Sequence, residues 1–312
     1  MYEVVVVFHY LIVALMVIGP AIGFACGQRL AAQAIVEALD LQPKAGSSLF
    51  RSFILGTALN ETTAIIGLIM GIILFRVEEI TSASVFAELG IWFAMGFPGL
   101  LVGFLAAYPQ RAAIFAIARQ PHRAPRIISM MMILMSMMQM SVILGLVIGF
   151  FVYGKIVPDM TIAAGIQMCA AGCTFGLSAV GPLLGMSHFT EMACAATGQY
   201  PLAHTQLLSF SFLSQALIET PLFLALVISM LIVYSSESGI IPLCAAALTM
   251  ILVTFGPGIA SGMIAHVACR NIGERPEHAG LFSYTSLVCQ AIIDASVIYG
   301  LIVAVTLLVI VP

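Results

Sequence analysis

Long apolar runs alternate with short polar ones from one end of the chain to the other. Apolar stretches of membrane-spanning length cover residues 4–26, 52–75, 85–107, 127–154, 160–187, 205–235, 239–268 and 279–312. A bilayer core takes ~20 apolar residues per helix, so the pattern predicts an all-α membrane protein with eight transmembrane helices. Paired through their polar connections, the helices divide the chain into four hairpins, 1–80, 81–156, 157–235 and 236–312. Eight spans use nearly all of the 312 residues, which leaves no room for a soluble catalytic domain. The expected role is therefore not that of an enzyme. Met1 to Cys26 has no basic leading segment and no convincing cleavage site, and reads as a retained helix.

One landmark recurs in every hairpin. A proline in the polar connection is followed eighteen residues later by an acidic or amide residue inside an apolar helix: Pro43 with Glu61, Pro121 with Gln139, Pro201 with Glu219, Pro276 with Asp294. Small residues follow six and ten positions on, as Gly67 and Gly71, Gly145 and Gly149, Ala225 and Ser229, Gly300 and Ala304. This is a fourfold internal repeat without gaps between landmarks. Upstream of each proline lies a glycine-rich helix carrying Gly19, Gly23 and Gly27; Gly96, Gly99 and Gly103; Gly172, Gly176, Gly181 and Gly185; or Gly256, Gly258 and Gly262. Such spacing lets helix backbones approach closely, a main source of association energy in lipid. The prediction is a row of glycine-rich helices packed side by side, with bulkier helices outside. Two spans per repeat give all four copies the same orientation, unlike the inverted repeats of many transporters.

Composition agrees with the pattern: 62% of residues are hydrophobic and 8% charged, with a mean hydropathy of +1.13. The formal charge of −3 gives no sign of a nucleic-acid partner. Nine of the eleven basic residues lie in or beside the proline connections, namely Arg29, Lys44, Arg51, Arg111, Arg119, Arg123, Arg126, Arg270 and Arg275, and only Arg76 and Lys155 lie at the other ends. By the positive-inside rule these connections face the cytoplasm and both termini lie outside. Seven cysteines are scattered through apolar runs; Cys169 and Cys173, one turn apart, have no His or carboxylate to complete a metal site and read as packing residues. His9, His188 and His266 read as isolated packing or interfacial residues, and the methionines between Met130 and Met140 as adaptable packing.

The candidate chemistry lies in the acids. Eighteen residues correspond to ~27 Å along a helix, which puts Glu61, Glu219 and Asp294 deep in hydrocarbon. A charged carboxylate there costs at least ~2.5–3.5 kcal/mol, so lipid favours the neutral acid. An acid that is neutral in lipid and ionises beside a cation is a reversible ion carrier. Gln139 cannot titrate, so its hairpin is silent and the chain handles three ions per four hairpins.

The run Ala118-Arg119-Gln120-Pro121 resembles the polar-loop signature of the c subunit of F-type ATP synthases, and Gln42-Pro43, Tyr200-Pro201 and Arg275-Pro276 resemble degraded versions of it. With a glycine-rich first helix and a mid-helix acid, the resemblance covers all four hairpins; it departs from the family pattern in their fusion and in the missing second acid. Fusion is more usual among rotary V/A-type proteolipids. The resemblance implies a rotor ring of identical chains in contact with lipid. Each acid loads from a half-channel of the stator's a subunit, whose arginine favours the carboxylate, and the polar loops dock on central-stalk subunits. It implies a bacterial inner membrane or an organellar equivalent, and no cofactor.

The transported ion is H+ or Na+. Sodium needs several oxygen ligands. Hairpin one offers Gln28, Thr62 and Thr63 around Glu61, which resembles the sodium-binding form of the family, but the equivalents of Gln28 are Ala106, Met186 and Ser261. Thr220 follows Glu219, and Gln215 and Gln290, one turn before their acids, are placed to hydrogen-bond a protonated carboxyl. Protons need only the acid and suit all three sites. The competing readings are a sodium-carrying V/A-type proteolipid, a self-contained proton channel or transporter, and a scaffold derived from a rotor ancestor.

Overall fold

The computed structural model describes residues 2–77, 80–235 and 239–309. Among them are eight helices long and apolar enough to cross a membrane: α1 (Glu3–Leu41), α2 (Pro43–Leu74), α3 (Ser82–Arg119), α4 (Pro121–Tyr153), α5 (Ile162–Gln199), α6 (Pro201–Tyr234), α7 (Ile240–Glu274) and α8 (Pro276–Val309). The helices outrun the apolar stretches that predict them. α1 continues through Arg29, Glu37 and Asp40, because a helix satisfies its own backbone while polar side chains reach water. What stops it is proline. Gln42, Gln120, Tyr200 and Arg275, each just before a loop proline, leave the helical region with φ between −147° and −123° and ψ between 71° and 77°. The proline ring disfavours helical backbone at the preceding residue. A single 3-10 turn then opens the next helix.

The glycine-rich helices α1, α3, α5 and α7 pack in series, and α2, α4, α6 and α8 form a second row against them. The arrangement is the predicted one. Its ends are open: in their most apolar windows α3 and α5 are 61% and 67% buried, while α1 and α8 are each 28% buried. At every seam of the first row glycines let backbones touch. A Cβ at Gly27 would fall on the Gly103 carbonyl, one at Gly172 on the Gly90 carbonyl, and one at Gly185 on the Gly258 carbonyl.

Prolines inside the first row shape it further. Pro98 cannot donate a helical hydrogen bond, and the turn before it, Trp92–Gly96, widens to π geometry, with the Phe97 N–H reaching Trp92 O. Pro109 stands four residues beyond Leu105, whose carbonyl accepts instead from Ser187 Oγ of α5 at 3.3 Å. Trp92 Nε1 donates to Leu15 O of α1 at 3.2 Å.

His9 and His266 are not isolated, contrary to the sequence reading. His9 Nδ1 lies 2.9 Å from Glu88 Oε2, and the pair is buried between α1 and α3. His266 Nδ1 of α7 lies 2.9 Å from the His188 carbonyl of α5. Each contact spans nearly a full repeat, so no local pattern marks it. Glu88 is also a chemistry-bearing residue outside the repeated landmark, although a lone carboxylate within an apolar stretch is a signal by itself.

Two outcomes follow from this packing. Gly172→Val forces the Gly90 backbone aside and lowers the stability of the chain in detergent by about 1–3 kcal/mol, read as a fall in thermal unfolding midpoint. Gly280→Ala, where a Cβ meets nothing within 4 Å, leaves the midpoint level or raises it. At the buried pair, His9→Leu alone strands the Glu88 carboxyl and costs about 1–3 kcal/mol. The double variant His9→Leu, Glu88→Leu recovers most of that loss, because both polar groups are then gone.

Candidate functional site

The four residues of the repeated landmark all lie in the second row, near mid-helix, but in unlike surroundings. Glu219 on α6 is 4% exposed, and its Oε1 has no hydrogen-bond partner. Asp294 on α8 is 8% exposed; its Oδ1 accepts from Ser261 Oγ of α7 at 3.4 Å, and Oδ2 has no partner. Glu61 on α2 is exposed on the open edge of the block. Gln139 on α4 is 5% exposed and donates Nε2 to the Leu59 carbonyl of α2 at 3.3 Å.

The helical geometry explains the depth of these groups. α2 runs unbroken from Gly46 to Leu74, so Glu61 stands well inside it. α6 is likewise continuous from His204 to Tyr234 despite Pro221, and α8 from Ala279 to Val309. α4 breaks at Gln139 itself: its N–H is shared between the carbonyls of Met135 and Ser136 at 3.3 and 3.2 Å. Sharing of this kind marks a locally tightened turn. Neither proline nor glycine stands at the break. Among the described residues the salt bridges are His9–Glu88 and Arg270–Glu274, and neither Glu219 nor Asp294 has a basic partner among them.

The side chains read as supports for the acids are directed elsewhere. Thr62 Oγ1 donates to Leu59 O at 2.7 Å and Thr63 Oγ1 to Asn60 O at 3.0 Å, each back into its own helix. Thr220 does the same toward Ala216 O at 3.2 Å. Gln28 Oε1 accepts from Thr57 Oγ1 at 2.8 Å, and its Nε2 donates to Gln110 Oε1 at 3.3 Å, one helical turn below Glu61. Gln110 is fully buried and donates to Phe53 O at 3.0 Å. Gln215 donates to Leu134 O of α4 at 3.1 Å, not to Glu219, and Gln290 pairs with Ser214 and Ser286, not with Asp294. Short hydroxyls find a carbonyl one turn back more readily than a carboxyl beside them. An amide in an apolar interior takes whichever backbone or hydroxyl group is in reach.

Ser261, which the sequence places at the register of Gln28 in the fourth hairpin, is the residue that touches an acid. Asn60, next to Glu61, is fully buried and donates to Gly103 O of α3 at 2.7 Å, and nothing in the chain spacing announces that contact. Cys169 and Cys173 meet Cys244 of α7 along one apolar pocket. Among the described residues no group of three or more His, Cys, Asp or Glu side chains is arranged to hold a metal ion.

The residues of the polar connections are set by the loop prolines. Gln42 with Pro43, Arg119 and Gln120 with Pro121, and Arg275 with Pro276 occupy three of the four equivalent turns at one end of the block, and Tyr200 with Pro201 the fourth. Arg76 and Lys155 lie at the other end, Lys155 Nζ being 4.9 Å from the centre of the Tyr234 ring.

Comparison with known proteins gives the same picture at both ends of the chain. A family model for the C subunit of ATP synthase matches residues 11–74 and again 244–307. A stretch of 64 residues, 20% of the chain, is 44% identical to the ATP synthase c subunit of Synechococcus sp. and covers 78% of it. The ATP synthase c subunit of Nostoc sp. is also 44% identical over 64 residues, with 79% of it covered. Its chloroplastic counterpart from Diacronema lutheri is 42% identical, with 77% covered.

Proposed function

Because the chain belongs to the family of ATP synthase C subunits, we propose that it is the proton-carrying rotor-ring subunit of an F-type ATP synthase, built as four fused hairpins. Its eight apolar helices make it an integral multi-pass membrane protein, and its family makes it a ring-forming, non-catalytic subunit. The observation that carries the proposal is the pair of buried acids, Glu219 and Asp294, each with an unpartnered oxygen and no cation of its own. A carboxyl in that setting is held neutral by its surroundings and ionises when a fixed positive group comes alongside. In this reading that group is an arginine of the stator's a subunit. The acid gives up its proton to one half-channel there, reloads from the other, and returns to lipid neutral.

Protons are favoured over sodium by the poverty of oxygen ligands. Asp294 has one hydroxyl, that of Ser261, and Glu219 Oε1 has none. Hairpin one is where the sodium-carrying V/A-type alternative has its foothold, since Gln28 and Thr57 lie one turn from Glu61. The proline turns face the cytoplasm and dock on the central stalk. Gln139 carries no ion, so three acids serve four hairpins.

Labelling with a hydrophobic carbodiimide, which attacks neutral membrane carboxyls, tests the reading in membranes containing the intact complex. Glu61, Glu219 and Asp294 are expected to react, and sodium to leave their rates unchanged. Glu219→Gln and Asp294→Asn are each expected to abolish ATP-coupled proton transport. Sodium protection of all three acids together transfers the chain to the sodium-carrying class. Ion conductance by the purified chain alone in liposomes points to a self-contained channel.

A further inference from the structure

Counted from the loop prolines, two of the three first-row seams share one register. Gly23 stands twenty residues before its proline, and a Cβ there would fall on the carbonyl of Leu100, twenty-one residues before the next proline. Gly27, sixteen before, meets Gly103, eighteen before. The third seam repeats both contacts, Gly181 with Phe255 and Gly185 with Gly258. Hairpin two has Leu101 and Leu105 at the positions of Gly23 and Gly27, and bulk there keeps backbones apart. The second seam closes nearer the other end instead, with Gly172 on the Gly90 carbonyl and Gly176 on that of Phe93.

The fourth hairpin has small residues at both positions, Gly256 and Ala260. Among the described residues a Cβ at Gly256 meets no atom within 4 Å, whereas one at Gly23 or Gly181 falls on a carbonyl. The complementary half of such a seam lies at the far end of the same chain. Twenty-one, eighteen and seventeen residues before Pro43 stand Ile22, Ala25 and Cys26, all exposed on α1. The second row is divided in the same way. At the first seam Gln139, eighteen residues after its proline, reaches the carbonyl of Leu59, sixteen after the preceding one. Glu61 holds the first of these positions with no preceding hairpin. Ile292, 68% exposed on α8, holds the second with no following one.

We propose that the two open edges of the block are the halves of a fourth seam, closed by a second copy of this chain in the register of the first and third. Gly256 and Ala260 of one copy lie against Ile22 and Ala25 of the neighbouring copy, and Ile292 of the first covers Glu61 of the second. The register of the second seam does not serve. Its Gly172 and Gly176 correspond on α1 to Ala14 and Ile18, and the bulk of Ile18 bars a close approach. The Glu61 site is therefore incomplete in a single chain, and α8 of the neighbouring copy stands to Glu61 as α2 stands to Gln139. This inference rests on the ring-forming role and adds to it the register in which copies meet and the residue that completes the first acid's site.

The test is disulfide cross-linking of the full chain in membranes containing the intact complex. At the first seam a Cβ on Gly27 lies 3.2 Å from Phe104 Cα. Ala260 has the register of Gly27 and Cys26 that of Phe104, so Ala260→Cys is set beside Cys26 of the neighbouring copy. With a copper–phenanthroline oxidant, Ala260→Cys is expected to give a ladder of covalently joined chains, and adding Cys26→Ser is expected to abolish it. Thr249→Cys, on the same helix face but ~16 Å along the axis, is expected to give no ladder. Gly256→Ala is expected to lower the temperature at which the ring falls apart in detergent. The unfolding midpoint of the separated chain stays level or rises, because the added Cβ meets nothing within it. A ladder absent from Ala260→Cys, or one that Cys26→Ser leaves unchanged, overturns the register, as do Gly256→Ala rings as durable as unmodified ones. A complex that holds a single copy of the chain removes the ring reading itself, and the fourth seam with it.

Discussion

Helices immersed in lipid gain little from hiding apolar side chains from one another, because the solvent is as apolar as they are. Close backbone contact has to supply what the hydrophobic effect supplies in water. In this chain that contact is concentrated in one row. Gly27 against Gly103, Gly172 against Gly90 and Gly185 against Gly258 bring α1, α3, α5 and α7 together at distances that no side chain would permit. The second-row helices do not touch one another this way. α2, α4, α6 and α8 are fixed to the first row by residues such as Gly145, whose Cβ would fall on the Ala94 carbonyl, and to one another by amides. The glycine row thus sets the spacing, and amide hydrogen bonds join the helices that carry the acids.

Polar groups divide into two kinds under the same constraint. Most hydroxyls and amides in the interior find a carbonyl or a hydroxyl, because leaving them unmade costs more in lipid than in water-accessible sites. Thr174, Thr197 and Thr254 turn back to their own helices, while Asn60, Ser187 and Ser229 reach across to neighbours. Glu219 Oε1 and Asp294 Oδ2 have no partner, and neither do the amide oxygens of Asn60, Gln139 and Gln215. What sets the two carboxyls apart in the proposed carrier role is that they can gain and lose a proton, which an amide cannot. A carboxyl already bonded within its own bundle would be slow to take up and release an ion, whereas one left short of partners is poised to accept either a proton or a passing positive charge.

Much of the architecture was legible in the chain. The eighteen-residue interval from loop proline to acid, the glycine-rich first helix of each pair and the apolar lengths together point to eight helices in two rows. The contacts that refine the site were not legible, for a physical reason. His9 with Glu88, Gln28 with Gln110, Gln139 with Leu59 and Gln215 with Leu134 are 79, 82, 80 and 81 residues apart. Helical periodicity reports only on neighbours three or four residues away and carries no information about rotation relative to another hairpin. Gln28 shows the consequence. Its position suits a ligand of Glu61, but the rotation of α1 presents it to Thr57 and Gln110.

Those separations also say how the copies are stacked. The loop prolines recur at intervals of 78, 80 and 75 residues (43 to 121, 121 to 201, 201 to 276). Contacts across 76 to 82 residues therefore join nearly equivalent levels of adjacent hairpins, as side-by-side parallel copies require and inverted copies do not. Fusion then allows what separate hairpins cannot. In a ring of identical single hairpins, replacing the acid removes it everywhere and leaves nothing to carry an ion. In a fused chain the order of hairpins is fixed, so one of them can hold Gln139 and brace its neighbour while Glu61, Glu219 and Asp294 remain. The missing acid is a departure that a ring of identical single hairpins cannot sustain and a covalently ordered set can.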